Sequence, residues 1–466
     1  MNLNLSKVAG ALSLLALTGC ASFSADGGFD RVASLTRERT GIAPDSLRTP
    51  AASDAARTRS TELLQQPLTP DAAVELALLN HRGLRASFAE LGIAEADLVR
   101  AGRLHNPSLR FGRLAGGGSV EIDRAVIFDV LGLLAMPTAS RIERDRFELA
   151  QLQAAADAVS LAAEARRAFF DAVAAQQLLG YAEQVKEAAD ASGELARRMA
   201  AAGNFSKLEQ MREQAFQSDA LAQWLRARHQ AVAGRERLVR ALGLADDLPS
   251  FTLPERLPEL PPAPVDAQNA EQAAMDKRLD LLMARRNAES TAASLGLTKA
   301  TRFINVLDAG YQNQSSRSDQ GSEPRRNGYE ITFELPLFDF GGARVARAEA
   351  TYRQSVDRAA QLALQARSEV RESYSAYLGA YELAKHYRDE VVPLRKRISD
   401  EQLLRYNGML GSVFELLADA RSQIAGVTGA VESLRDHWIA ESALQTALAG
   451  RSPVNAPTAD SPDMPR

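Results

Sequence analysis

From Thr138 to Ala202 the chain has no proline, and apolar and alanine residues recur there at helical spacing. At 1.5 Å per residue such a helix is about 95 Å long. A second stretch of the same kind runs from Ala343 to Tyr406, with one interruption at Pro393 that predicts a kink. Each long stretch ends at a turn and is followed by another helix. Gly203-Asn204 breaks the first, and Ser206 can cap a helix that continues to Leu242. Asn407-Gly408 and Gly411 break the second, and a last helix reaches Ala449.

What precedes each long helix is also alike. Thr69 and Pro70 open a helix that runs to Arg103, ahead of two strand-like stretches, Ser108–Arg113 and Val120–Val130, joined by Gly116-Gly117-Gly118. In the second half a helix covers Ala267–Thr301, and strands cover Phe303–Tyr311 and Tyr329–Leu337 around a polar loop, 312–327. The offset between halves is 197 at Leu84 and Leu281, and 198 at Leu109 and Leu307. It becomes 205 at Phe128 and Phe333 and stays 205 at Gly203 and Gly408. The shift falls inside the hairpin, where the second loop is longer, so the chain reads as a duplication. The seams step by 3 and 4, with Val370, Tyr374, Tyr377, Tyr381 and Ala384 on one helix and Ile424, Val427, Val431, Leu434 and Trp438 on the next. That spacing predicts supercoiled antiparallel pairs.

Boundaries follow from this layout. Residues 67–248 are the first repeat, 249–266 a proline-rich connector, 267–450 the second repeat and 451–466 a disordered tail. Residues 20–66, rich in small polar residues, read as an extended, partly disordered tether. At the N-terminus, Lys7, the apolar run Val8–Leu17 and Leu17-Thr18-Gly19-Cys20 have the order of a secretory signal, residues 1–19, too short to span a bilayer. The site resembles a bacterial lipobox, which implies lipid on Cys20. Ala21 and Ser22 follow without an aspartate, which resembles sorting to the outer membrane. Cys20 is the only cysteine, so no disulfide framework or thiolate metal cluster is available. Net charge is −4, which gives no basic footprint for nucleic acid. With 24% charged residues and no later run of 18 apolar ones, any membrane crossing must be a closed β-barrel.

The stretch Pro336-Leu337-Phe338-Asp339-Phe340-Gly341-Gly342, after the alternating Phe333-Glu334-Leu335, resembles the strand-to-helix corner of the TolC family of outer-membrane efflux proteins. The likeness extends from Thr69 to Ala449 through order, lengths and duplication, although the first-half corner, Val130–Ser140, lacks the glycine pair. It implies a mainly α fold with a small membrane β part. In that fold a homotrimer closes a twelve-stranded β-barrel, four strands per protomer, continued by a periplasmic α-helical barrel. At the corner, Pro336 ends ladder pairing, and Gly341 and Gly342 permit angles costly for other residues. Tyr329, Ile331, Phe333 and Leu335 then face lipid, and Glu330, Thr332 and Glu334 face the lumen.

By the same resemblance, Glu415, nine residues after Tyr406, and Glu209, six after Gly203, match acidic positions of the periplasmic gate. A further acidic position falls on Ala418, with Asp419 one place on. The turns at Gly203, Asn204, Asn407, Gly408 and Gly411 are the tips that meet a periplasmic adaptor. An inner-membrane transporter of the resistance-nodulation type supplies the energy. The short first hairpin and the tip Ala201–Glu209 lean toward heavy-metal ions as cargo. No enzymatic role is expected: His81, His105, His229, His386 and His437 are scattered, and no P-loop, GxSxG or HExxH occurs. No cofactor is implied beyond the lipid. A non-conducting periplasmic coiled-coil lipoprotein is the other reading, and the hairpins and the corner weigh against it.

Overall fold

The computed structural model describes residues 21–450 except 118, 245–249, 266–269, 305, 319–320, 323–324, 335 and 412. The expectations for the signal 1–19, for Cys20 and for the tail 451–466 lie outside the described residues. The contacts divide into two units, each built from pieces of both repeats. One holds Phe88–Ala154 and Leu281–Ala363 with the N-terminal residues up to Val32, and the other holds Ala33–Ser87, Ala155–Asp280 and the chain from Leu364 onward.

The N-terminal stretch is not extended. It forms α1 (Phe29–Thr40) and α2 (Pro50–Leu64), the latter capped by Thr49 with Pro50 in its first turn. Long-range contacts order it. In the first unit Phe29 packs edge-on against Phe88, Gln151 Nε2 donates to Gly28 O at 3.0 Å, and Arg31 pairs with Glu148 at 3.4 Å. In the second, Arg166 donates to Thr40 O at 3.2 Å and Arg39 to Lys277 O at 2.6 Å. Weak periodicity of its own gave no sign of these anchors.

The first unit carries the sheet. Strands β1 (Ser108–Gly116) and β2 (Ser119–Asp129) form a hairpin, and β2 pairs antiparallel with β3 (Leu307–Ser318) along its full length. A two-residue β4 (Gly321–Ser322) and then β5 (Arg326–Phe333) return along β3. Most of the expected loop 312–327 is therefore strand. Polarity in Gln312–Ser318 is no bar, because its amides are satisfied by β2 and one face borders water.

Long helices leave the sheet. α3 (Pro70–Asn80), capped by Thr69, and α4 (Arg82–Ala101) lead into β1, and α5 (Val130–Ala201) follows β2. α5 begins earlier than expected, enclosing Pro137, because Asp129 Oδ1 accepts the Gly132 N–H at 2.6 Å and caps it. α6 (Lys207–Leu242) closes the first repeat. In the second, α7 (Ala270–Lys277) and α8 (Leu279–Ala300) precede β3, and α9 (Gly342–His386) follows β5. At Tyr387–Val391 the helix widens to one π-turn before α10 (Val392–Asn407), and α11 (Val413–Ala449) returns. The expected kink at Pro393 takes this form: proline has no N–H for the carbonyl one turn back, and the wider turn absorbs the mismatch. Opposite it, a Cβ on Gly429 would stand 2.7 Å from the Tyr387 hydroxyl oxygen.

Two helices expected to be continuous are broken, at His81 and Arg278, and the breaks repeat one joint within the second unit. Gly243, at φ 64, ends α6 against the first break, where a Cβ would lie 2.7 Å from His81 Cα. Gly450, at φ 104, ends α11 against the second, 2.8 Å from Arg278 C. Arg278 locks that joint, donating to Ala447 O at 2.8 Å and pairing with Asp280 and Glu369. The duplication thus extends to packing.

The 3–4 seam holds in outline. Val370, Tyr377, Tyr381, Ala384 and Val431 are buried, and Tyr374, Ile424, Val427, Leu434 and Trp438 are half-buried. Its aromatic members also hold the connector. Tyr381 Oη donates to Pro261 O and Pro262 O, Trp438 Nε1 donates to Pro258 O, and Val265 N–H donates to Tyr377 Oη. A chain poor in N–H groups finds its carbonyl partners in side chains.

Candidate channel wall and gate

The register sorts the strand residues by face. Leu109, Val126, Tyr311 and Tyr329 align in one row, Phe128, Ala309 and Ile331 in the next on that face, then Leu307 and Phe333. The rings of Tyr311 and Tyr329 meet at 5.8 Å, and Tyr329 is 87% exposed. The expected outward positions Tyr329, Ile331 and Phe333 lie together here, while Leu335 is outside the described residues. The opposite face is polar: Arg110 pairs with Glu330 at 3.5 Å, Gln314 bonds Glu121, and Asp123 and Gln312 lie between. Glycines 112 and 328 on this face leave room for Asp123 and Gln312. β1 and β5 each have an outer edge without a strand partner among the described residues. So broad an exposed apolar face with two open edges marks an interaction surface.

At the corner after β5, Gly341 sits at φ 71, and a Cβ there would lie 2.5 Å from Arg302 O. Its N–H donates to Asp339 Oδ1 at 2.8 Å, and Arg302 Nε donates to Phe340 O at 2.9 Å. Of the glycine pair, Gly341 alone takes a left-handed angle. Gly342 opens α9 with free space around it and no left-handed angle. The first-half corner works with Asp129, which caps through Gly132 and also bonds His105 at 2.6 Å. An aspartate shortly before a glycine is the signal common to both corners. Exposed apolar residues gather at these junctions, among them Leu134, Phe303, Leu337, Phe338 and Phe340.

In the second unit, Gly203 takes φ 77 at the first tip, and Asn204 N–H donates to Met199 O at 2.9 Å. Glu209 and Ser206 form a reciprocal capping box, with Ser206 N–H at 2.6 Å from the Glu209 carboxylate. The Ser206 amide holds that carboxyl below its usual range. At the second tip the left-handed residue is Met409, at φ 60, and neither Gly408 nor Gly411 has a positive φ. Met409 N–H returns to Tyr406 O at 3.0 Å, and Glu415 accepts from Gln402 Nε2 at 3.2 Å. Tyr406, Gly411 and Glu415 thus share one turn, while Glu209 belongs to the other hairpin. The side chain of Ala418 is outside the described residues.

The sequence reading passed over Glu213. It lies one turn beyond Glu209 and is buried, accepting from Ser192 Oγ at 2.8 Å and pairing with Arg421 at 3.2 Å. Arg421 lies over the Phe216 ring at 4.3 Å, and Ile424 packs on Val185, Ala189 and Ala220. These contacts join α5, α6 and α11, hence both repeats. The signal available was a charge at a seam position, since Glu213, Phe216 and Ala220 step by 3 and 4.

Residues 270–448 match the family model for outer membrane efflux proteins. The second repeat belongs to that family. The fold of the whole chain agrees. The crystal structure of CusC superposes with TM-score 0.67 at 17% identity, covering 82% of this chain and 92% of that one. The Campylobacter jejuni CmeC outer membrane channel gives 0.68 at 14%, covering 82% and 85%. The open state of the Neisseria gonorrhoeae MtrE outer membrane channel gives 0.66 at 16%, covering 81% and 88%. No curated protein sequence matches the chain significantly. Within this efflux-channel fold, no helix among the described residues is long and apolar enough to cross a membrane, and none of their acids and histidines group to hold a metal.

Proposed function

We propose that the chain is the outer-membrane exit channel of a tripartite efflux pump. Three copies would close the sheet into a twelve-stranded barrel, the open edge of β1 meeting that of β5 in the next copy. The helices would then form the periplasmic duct. The observation that carries this reading is the sheet itself: four long antiparallel strands, apolar and exposed on one face, polar on the other, with both edges open. In lipid such edges must be closed, and three-fold symmetry closes them.

Conduction is passive on this reading. Solutes arrive through a periplasmic adaptor docked at the helical tips, from an inner-membrane transporter of the resistance-nodulation type that supplies the energy. Metal ions are the proposed cargo, on the lean of the first hairpin and tip, with selectivity belonging to the transporter. Glu415 and Glu209 are the proposed gate acids, and lipid on Cys20 is a second anchor beside the barrel. The purified protein should run as a trimer and conduct ions in planar bilayers. Correctly folded trimers that never conduct would favour the coiled-coil lipoprotein instead. Replacing Glu415 and Glu209 together by alanine should raise leak conductance or alter its divalent-cation response. An unchanged response removes the gate assignment.

A further inference from the structure

The acids of the strands all lie on one face, and three of their five arginines lie on the other. The register pairs Arg113 with Ile122, Arg124 with Phe111 and Asn313, and Arg317 with Val120. All three arginines therefore share the face of Tyr329 and Ile331. The strand acids Glu121, Asp123, Asp129, Asp308 and Glu330 all fall on the other face. Such a division is not needed for solubility, which favours both signs interspersed.

Position along the strands sharpens this. Arg113 and Arg317 lie toward the hairpin ends, at Gly116–Ser119 and Ser318–Gly321, Arg124 lies at the middle of β2, and the apolar rows of Leu109, Phe128 and Leu307 lie between all three and the helix junctions. Each is exposed, and none has a carboxylate partner among the described residues. Arg124 makes one long bond, 3.5 Å to Asn313 Oδ1, whereas Arg110 on the polar face is paired with Glu330. Neighbouring strands bring Arg113 and Arg124 to a diagonal separation of about 7–8 Å. Guanidinium groups so spaced suit phosphate groups, which they bind through a planar fork.

Resting on the barrel reading, we propose that Arg113, Arg124 and Arg317 dock the phosphate groups of the outer-leaflet glycolipid. In that reading the helices are periplasmic, so the arginine end of the lipid-facing side meets the outer leaflet. Unpaired cations at the edge of hydrocarbon are costly, and phosphates at that level neutralise them. The acid-bearing face, turned to the lumen, carries five carboxylates against the two arginines Arg110 and Arg326 and would repel such a lipid.

The full-length protein in detergent would be titrated with bis-phosphorylated lipid A, with its dephosphorylated form and with phosphatidylglycerol, read by native mass spectrometry. Lipid A should bind in preference to both. In R113Q/R124Q/R317Q its affinity should fall roughly tenfold or more, in Arg317→Gln by a smaller factor, and in Arg326→Gln, on the other face, not at all. Unchanged affinity in the triple variant, or equal binding of the dephosphorylated lipid or of phosphatidylglycerol, overturns the docking surface. Conductance of the same preparations in plain phospholipid bilayers separates the two ideas. A wild type that conducts while the triple variant keeps its lipid A affinity removes this surface alone. A wild type that does not conduct removes the barrel, and this surface with it. Conductance by the triple variant shows that it has folded, and Arg317→Gln carries the test if it has not.

Discussion

Among single residues, the two corner glycines have opposite expected sensitivities. A side chain at Gly341 meets both a left-handed backbone and the Arg302 carbonyl. Gly341→Ala should therefore cost about 1–2 kcal/mol or more, while Gly342→Ala, in open space at a helix start, should cost under about 0.5 kcal/mol. Chemical unfolding of the two variants measures the contrast, and equal losses would contradict the corner geometry. His437 gives a pH prediction. It is fully buried among Tyr377, Tyr381 and Trp438, and neither ring nitrogen has a partner among the described residues. Burial pushes its pKa down to about 4. The unfolded imidazole takes its proton near 6.5 and the folded one only near 4, so stability falls as pH drops through that window and levels below it. The loss is of order 3 kcal/mol. His437→Phe should flatten that part of the stability–pH curve, and a parallel curve would assign the acid sensitivity elsewhere.

Pairs of elements are tested by paired substitutions. The buried Glu213 depends on Arg421, which reaches it from α11. Arg421→Ala strands a buried carboxylate and should cost about 3–5 kcal/mol. Adding Glu213→Leu should recover much of that, which a double-mutant cycle by thermal unfolding would read. Additive losses would mean the pair is not coupled. The π-turn is supported by its facing glycine: Gly429→Ala should destabilise because its Cβ meets the Tyr387 ring, by about 1–3 kcal/mol. Tyr387→Ala in the same chain should relieve it. Pro393 made a disturbance legible in the sequence, but its form was not, because the facing residue lies on another helix. Likewise Thr69 and Ser206 were readable as caps, while the breaks at His81 and Arg278 were not, since each is held by the glycine that ends its own repeat's helical hairpin, more than 150 residues on.

For the molecule as a whole, the proposed function makes lipid and barrel separable anchors. Cys20→Ser should lose the acyl label yet keep trimers that conduct in bilayers; loss of assembly would make the lipid essential to folding. The duplication, the long helices, the hairpins and the corner were present in the sequence because periodicity, proline spacing and glycine placement are local properties. The sequence could not determine where β3 and β5 pair, since polar residues join a strand whenever a neighbour supplies the ladder. Nor could it show that Phe29–Thr40 is helical, because its anchors lie over a hundred positions away at Gln151, Arg166 and Lys277. Charge type was legible residue by residue. That every strand acid shares one face, while Arg113, Arg124 and Arg317 share the other, was decided by register alone, because a slip of one residue would exchange the two faces.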